Sequence, residues 1–179
     1  MRLSKRDHIL DAALSVVEHN GVAALTYEAV SERSGITKSG LLYHFSSKEA
    51  LLVALHERLA ELWEDELVSS LGGPPEAATA TERLRAYAEV SARSASGPEL
   101  RLMLEATINP EFDRPWKRVI ARWLPDPSGI DPEDPDAMQI LIARLAADGL
   151  WMADSLNTLP LASSLRTAIA RHLTEKLLG

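Results

Sequence analysis

An all-α fold of about nine helices, a small three-helix head followed by a larger helical body, is what this sequence predicts. Three observations carry that expectation. Apolar residues recur at three- and four-residue spacing along most of the chain. No segment shows the period-two alternation of a half-buried strand, and β-branched residues are sparse. Gly and Pro cut the helical pattern into lengths typical of packed helices. Of the 179 residues, 46% are hydrophobic and 25% charged, enough for a packed core and against general disorder.

The first helix is expected from Ser4, a plausible N-cap, to Asn20, with Ile9, Ala13, Val16 and Val17 on one face and Gly21 where a left-handed terminator often sits. Thr26 caps a short second helix with Glu28 in its first turn and Ala29 and Val30 inward, running out at Ser34 and Gly35. Thr37 caps a third short helix, Lys38 to about His44, with Leu41, Leu42 and Phe45 as its apolar anchor. Two short helices joined by a glycine-containing turn of three or four residues have helix-turn-helix geometry. Ser46 with Glu49 has capping-box spacing, and Ser47 is an equally good cap, for a long fourth helix reaching about Ser70. Gly72-Gly73-Pro74-Pro75 stops it.

The body continues with a helix from Ala78 to about Ser94, a break at Gly97-Pro98, and a shorter helix from Glu99 to Ile108. Asn109-Pro110 breaks again, and Glu111 to Leu124 makes the next helix, with Phe112, Trp116, Val119, Ile120 and Trp123. Pro125 to Pro135 holds four prolines among acidic residues and is expected as a loop. Asp136 to about Leu156 and Leu161 to Leu178 close the chain. The expected division is a head over residues 1–47 and a body over 48–179.

Charge divides the same way. Residues 1–48 carry six Lys/Arg against five Asp/Glu, and residues 49–179 carry thirteen against twenty-one. A near-neutral head would bind a polyanion through a few placed contacts rather than a broad basic field. There is no cysteine, so disulfide, thiolate and cysteine-metal chemistry are excluded. The five histidines are scattered without metal-ligand spacing, and no cofactor fingerprint or catalytic motif is present, so an enzyme is not expected. No stretch approaches a membrane span and the N-terminus lacks the apolar core of a secretory signal, so a soluble intracellular protein is expected.

A helix offered to a major groove needs short or polar residues at its front and an apolar face behind. In the third helix Thr37, Lys38, Ser39 and Gly40 form that front. Lys38, Ser39 and Gly40 could approach base edges. Thr37, Tyr43, His44 and Lys48 could reach phosphates, as could the amide beside Thr26. Arg33, Arg2, Lys5 and Arg6 are possible further contacts, with plain surface solvation the competing reading for each, and local packing the competing reading for Tyr43.

The run from Leu25 to Leu52 resembles the N-terminal signature of tetracycline-repressor-like (TetR/AcrR) regulators. Its short helix capped by Thr26, the turn at Gly35, the run Thr37-Lys38-Ser39-Gly40-Leu41-Leu42-Tyr43-His44-Phe45 and the Lys48-Glu49-Ala50-Leu51 start of the fourth helix carry the likeness. It covers about residues 4–55. The resemblance implies that Thr26 and Lys48 hold phosphates, that Thr37, Lys38 and Ser39 stand at the groove, and that Tyr43 and His44 grip the backbone. Gly40 stands where the family often has Thr, Ser or Ala, and Leu42 where many members have Tyr. Both departures remove polar groups near the DNA.

The resemblance further implies a bacterial cytoplasmic regulator, at the nucleoid when bound to DNA. It would be a homodimer through its last two helices, on a palindromic operator of double-stranded DNA, most simply a repressor. Small residues there, such as Ala143, Ala146, Gly149 and Ala168, suit close helix packing. A small-molecule effector received by the body would bias the fourth helix and so the heads. Candidate effector contacts are Trp63, Tyr87, Arg93, Met103, Glu105, Asn109, Trp116, Trp123 and Trp151, each of which could equally be plain core. The alternative is a helical adaptor whose head binds DNA weakly or not at all.

Overall fold

The computed structural model describes residues 4–94, 96–107 and 109–177. Among these the fold consists of nine α-helices with short 3₁₀ and π turns, and no strand. They are α1 (Lys5–Asn20), α2 (Tyr27–Ser34), α3 (Lys38–His44), α4 (Lys48–Leu71), α5 (Ala80–Ser91), α6 (Gly97–Ala106), α7 (Pro110–Trp123), α8 (Pro135–Ser155) and α9 (Ser163–His172). Arg2, the Ile108 end expected for the sixth helix and the Leu178 end expected for the last lie outside the described residues. No helix among the described residues is long and apolar enough to cross a membrane.

The described residues form two compact units, one drawn from 1–61 and 97–116, the other from 62–96 and 117–179. In the first unit α1 begins on a capping box: the Ser4 hydroxyl accepts the Asp7 N–H at 3.1 Å and the Asp7 carboxylate accepts the Ser4 N–H at 3.3 Å. Its inward face buries Ile9, Ala13, Val16 and Val17 as the spacing predicts. Thr26 Oγ1 accepts the Ala29 N–H at 3.1 Å and starts α2, which stops at Gly35, φ 69° and ψ 9°, a left-handed turn that a β-carbon would strain. Thr37 Oγ1 accepts the Gly40 N–H at 3.2 Å and starts α3. Each stop and start is a local satisfaction of end groups that a helix leaves unpaired.

The anchor of α3 is narrower than the sequence suggests. Leu41 and Phe45 are buried, but Leu42 is 42% exposed. In a helix of two turns, positions i and i+4 share the inward stripe, and position 42 lies about 100° round from it. Ser47, not Ser46, caps α4, its hydroxyl accepting the Ala50 N–H at 3.0 Å.

Gly97-Pro98 opens α6 instead of merely breaking the chain, because a proline in the first turn removes only a donor with no helical partner anyway. Likewise Pro110 opens α7, and Asn109 Oδ1 accepts the Glu111 N–H at 3.0 Å. α1 packs on α2 and on α6. Within this unit α4 and α7 meet at His56, whose ring stacks on Phe112 (centroids 4.9 Å apart) and accepts the Trp116 indole N–H on Nδ1 at 3.0 Å.

In the second unit a 3₁₀ turn, Pro75–Ala77, intervenes after Gly72-Gly73-Pro74. Thr79 then caps α5 in a box with Glu82, so that helix starts two residues later than expected. Arg83 ties the start of α5 to the end of α7, donating to the Ala78 and Trp123 carbonyls at 2.7 and 3.2 Å. Arg122 bridges Glu64 and Glu76, both at 2.6 Å, and Trp123 donates its indole N–H to Glu64 at 3.1 Å.

The proline-rich segment is not wholly irregular: Pro127–Gly129 forms a 3₁₀ turn. Asp134 caps α8 by accepting the Asp136 and Ala137 amides. α5 packs on α8 and α9. There Ala92, Leu150 and Ala170 form a small core with Leu161 and Ile169 against it. α9 starts at Ser163 rather than Leu161 and passes into a π turn over Leu173–Leu177.

Candidate nucleic-acid interface

The three-helix head is braced from inside, and its exposed front is what remains available to a partner. His8 Nε2 lies 2.9 Å from the Ser34 carbonyl, tying α1 to the end of α2. Tyr27 donates its hydroxyl to the Phe45 carbonyl at 2.6 Å, tying α2 to the end of α3. The Arg6 guanidinium sits over the Phe45 ring, 5.3 Å from its centroid. α3 is thus held by Leu41 and Phe45 behind and by the Tyr27 hydroxyl at its C-terminal end.

On that support Tyr43 is 86% exposed, with its ring edge-on to His44 at 5.2 Å. Packing between helices, the competing reading for Tyr43, is therefore not what the fold shows. Thr26, Thr37, Lys38, Ser39 and Lys48 are also exposed, and Gly40 and His44 are half-buried. The Thr37 and Ser39 hydroxyls lie 3.2 Å apart.

Gly40 is small for a local reason. A β-carbon there would come within 2.9 Å of the Ile36 Cγ2 and 3.3 Å of the Thr37 hydroxyl that caps the helix. The Ile36 methyl is β-branched and cannot swing aside cheaply. The backbone at Gly40 is therefore closely covered by the turn, which the sequence alone did not reveal.

Two basic residues are less free than expected. Arg33 donates from Nε and Nη2 to the Ser15 hydroxyl at 3.0 and 2.5 Å, bracing α2 against α1. Lys38 is paired with Glu28, Nζ to Oε1 at 2.6 Å, across the turn. The Lys38 hydrogen bond holds the Glu28 carboxyl below the usual carboxylate range. The sequence does not reveal this pair: Glu28 lies ten positions before Lys38, and no helical periodicity relates positions on two helices separated by a turn.

The candidate effector contacts fall in both units. Met103, Glu105, Asn109 and Trp116 belong to the first, and Trp63, Tyr87, Arg93, Trp123 and Trp151 to the second. Trp116 and Trp123 are 1% and 0% exposed and commit their indole N–H groups to internal partners. Asn109 Nδ2 lies 3.5 Å from a Glu49 carboxylate oxygen. Tyr87 lies edge-on to Trp63 at 6.0 Å and donates its hydroxyl to Asp148. Burial first, and the Asp148 charge second, push the Tyr87 phenol well above its ordinary pKa. Arg93 lines a groove of about 470 Å³ with Thr167, Arg171 and Thr174. Among the described residues no group of three or more His, Cys, Asp or Glu side chains is placed to hold a metal ion.

Comparison with known proteins gives the class. Residues 9–55 match the family model of bacterial regulatory proteins of the tetR family, and residues 81–177 match a tetracyclin repressor-like C-terminal domain. The HTH-type regulator RutR of Escherichia coli is 37% identical over 60 residues, 34% of this chain and 28% of RutR, so the chain spans little more than a quarter of that relative's length. BetI of Rhizobium meliloti is 29% identical over 176 residues, covering 92% of this chain and 85% of BetI. Among solved structures, the multidrug binding protein EbrR complexed with imidazole is 22% identical, covers 96% of both chains and superposes with a TM-score of 0.61. A TetR-family member from Streptomyces coelicolor, 20% identical, covers 96% of this chain and 98% of that one with a TM-score of 0.63. These two likenesses are of fold. The chain belongs to the TetR family of helix-turn-helix DNA-binding transcriptional regulators.

Proposed function

We propose that this regulator is a repressor that sits as a homodimer on a palindromic operator and is released by a small molecule. The observation that carries the reading is the display of α3: a polar front from Thr37 to Ser39 and an exposed Tyr43, on a helix fixed from behind by Leu41 and Phe45. Such a surface has no use in the core and suits groove and phosphate contacts. Residues 1–47, joined by Lys48 from the start of α4, then bind DNA, with Thr26, Tyr43, His44 and Lys48 on phosphates and Lys38, Ser39 and Gly40 nearest the bases. Arg33 supports from behind and reaches the backbone only if it releases Ser15. The protein works in the cytoplasm, at the nucleoid.

Residues 48–179 then dimerise and receive the effector. Support for the dimer comes from α8, where Ile142, Leu145 and Met152 are 48, 60 and 46% exposed on one stripe that Leu156, its C-cap, continues at 53%. Gly149 lies in that stripe and has open space where a β-carbon would be. A second copy is the natural cover for such a face, and two heads on a two-fold axis read half-sites about 34 Å, one helical turn, or a multiple apart.

For the effector, the support is an aromatic and polar set in the second unit, Trp63, Tyr87, Trp123, Trp151 and Arg93, with Met103, Glu105, Asn109 and Trp116 as a separate set in the first. EbrR, bound to imidazole in its structure, shows that this fold admits small organic molecules in at least one protein. Differential affinity of the effector for the two states of the protein, transmitted through the continuous helix α4, is all the release requires.

The adaptor reading keeps one observation: Lys38 is spent on Glu28, and Gly40 and Leu42 add no polar group. A binding selection from a random duplex library with purified protein separates the two. Enrichment of one palindrome is the expected result. Weak, salt-sensitive and sequence-indifferent binding would put the adaptor reading ahead.

A further inference from the structure

Leu42 is 42% exposed on α3 and has no side-chain donor or acceptor to offer. The core does not require it: Leu41 and Phe45, 0% and 3% exposed, fill the inward stripe. At about 100° per residue, Leu42 stands about 40° round the helix from Lys38 and about 60° from Ser39, between the two and one turn further along. Those are the two side chains that the DNA-binding reading puts nearest the bases, and both are exposed. Single exposed leucines are ordinary on a protein surface. This one is set among polar groups on a helix offered to a partner whose one apolar projection in the major groove is the thymine methyl.

We propose that Leu42 is a specificity-determining residue that reads thymine through its 5-methyl group in the major groove. This rests on the DNA-binding reading above and adds to it a side chain that makes no polar contact.

A leucine gains nothing from a phosphate, which it can only dehydrate. At a base edge its effect depends on the base. Against thymine, the side chain and the methyl leave water together, which is favourable. Against adenine, guanine or cytosine, the same side chain covers ring nitrogen, carbonyl or amino groups that it cannot hydrogen-bond, and parts them from water. Discrimination therefore comes from an attraction to one base and a penalty against the others. The neighbouring Ser39 hydroxyl, 3.2 Å from that of Thr37, can donate or accept and so tells bases apart poorly. Of the two, Leu42 is the more selective.

The test uses the full chain and the palindrome enriched by selection. Each thymine, together with its symmetry mate in the other half-site, is replaced by deoxyuridine. That change removes the methyl and leaves base pairing and the edge acceptor in place. At one such pair of positions the wild type should lose about fifteenfold in affinity, about fourfold from each of two methyls no longer buried. Leu42→Ala keeps the helix but withdraws the side chain from the groove, and should lose less than about threefold at the same positions. An effect of the methyl on duplex shape would be common to both proteins and persist in the variant.

A loss in Leu42→Ala as large as in the wild type overturns the inference. So does a wild-type scan in which no thymine methyl matters by more than about twofold, whether or not the variant folds. If selection enriches no site, the regulator reading fails and this inference with it. If it enriches one and no methyl in it matters, this inference alone fails.

Discussion

Between about pH 7.5 and pH 5, above the carboxylate range, acidification should weaken this protein at His56. Its side chain is 0% exposed, its ring stacks on Phe112, and its Nδ1 accepts the Trp116 indole N–H at 3.0 Å. That bond fixes the neutral tautomer with its proton on Nε2, a nitrogen with no hydrogen-bond partner among the described residues. A second proton would have to displace the indole and place a charge in an apolar pocket. Burial accordingly pushes the imidazole down to about 4 from its ordinary 6.5.

Between those values the unfolded chain holds the proton more tightly. The stabilisation from a neutral His56 is therefore fully present above about pH 6.5 and is lost as pH falls toward 4. From about pH 7.5 to about pH 5 the loss is on the order of 2 kcal/mol. Urea unfolding at fixed protein concentration, for the wild type and His56→Phe, measures it. Phenylalanine keeps the stacking and has nothing to protonate. At neutral pH it costs the indole its acceptor, about 1–3 kcal/mol, partly offset by removal of the unpaired Nε2–H. The wild type should lose about 2 kcal/mol more than the variant over this pH range. Parallel stability curves would refute the reasoning.

Four further outcomes follow from other contacts. Gly40→Ala should lower head stability by about 1–2 kcal/mol in thermal unfolding, because the new methyl meets Ile36 and the Thr37 cap. Tyr43→Ala should leave the melting temperature unchanged, since the ring is 86% exposed, yet weaken operator binding about tenfold or more by loss of a charge-assisted hydrogen bond. Arg122→Met should destabilise by about 1–2 kcal/mol, read by urea unfolding, because Glu64 keeps only the Trp123 indole as partner. If the proposed dimer forms through α8, Leu145→Glu should shift the protein to monomer in sedimentation, by placing like charges on the two α8 faces that this dimer brings together.

The head was legible because its signals are local. Ser4, Thr26 and Thr37 cap helices three residues ahead of the amides they accept, and Gly35 ends α2 in a conformation that favours glycine. Spacing along one helix likewise exposed the buried faces of α1 and α7. Helix starts were misread where punctuation has two meanings. A Gly-Pro pair stops one helix and can open the next, as Gly97-Pro98 does for α6.

What joins separate helices was not legible. The His56–Trp116 bond spans sixty positions, the Arg33–Ser15 brace eighteen, and the Glu28–Lys38 pair ten across a turn. None of these leaves a periodic trace. The effector candidates are not separable by sequence, because a tryptophan that lines a cavity and one that is buried, as Trp116 and Trp123 are, have the same sequence signature.

The central claim is that α3 reads a particular duplex sequence. Its most direct test is the ratio of affinities for the selected palindrome and a scrambled duplex of the same length and composition, measured at physiological salt. A ratio of about a thousand or more is expected, the range of sequence-specific regulators. A ratio near one would contradict it.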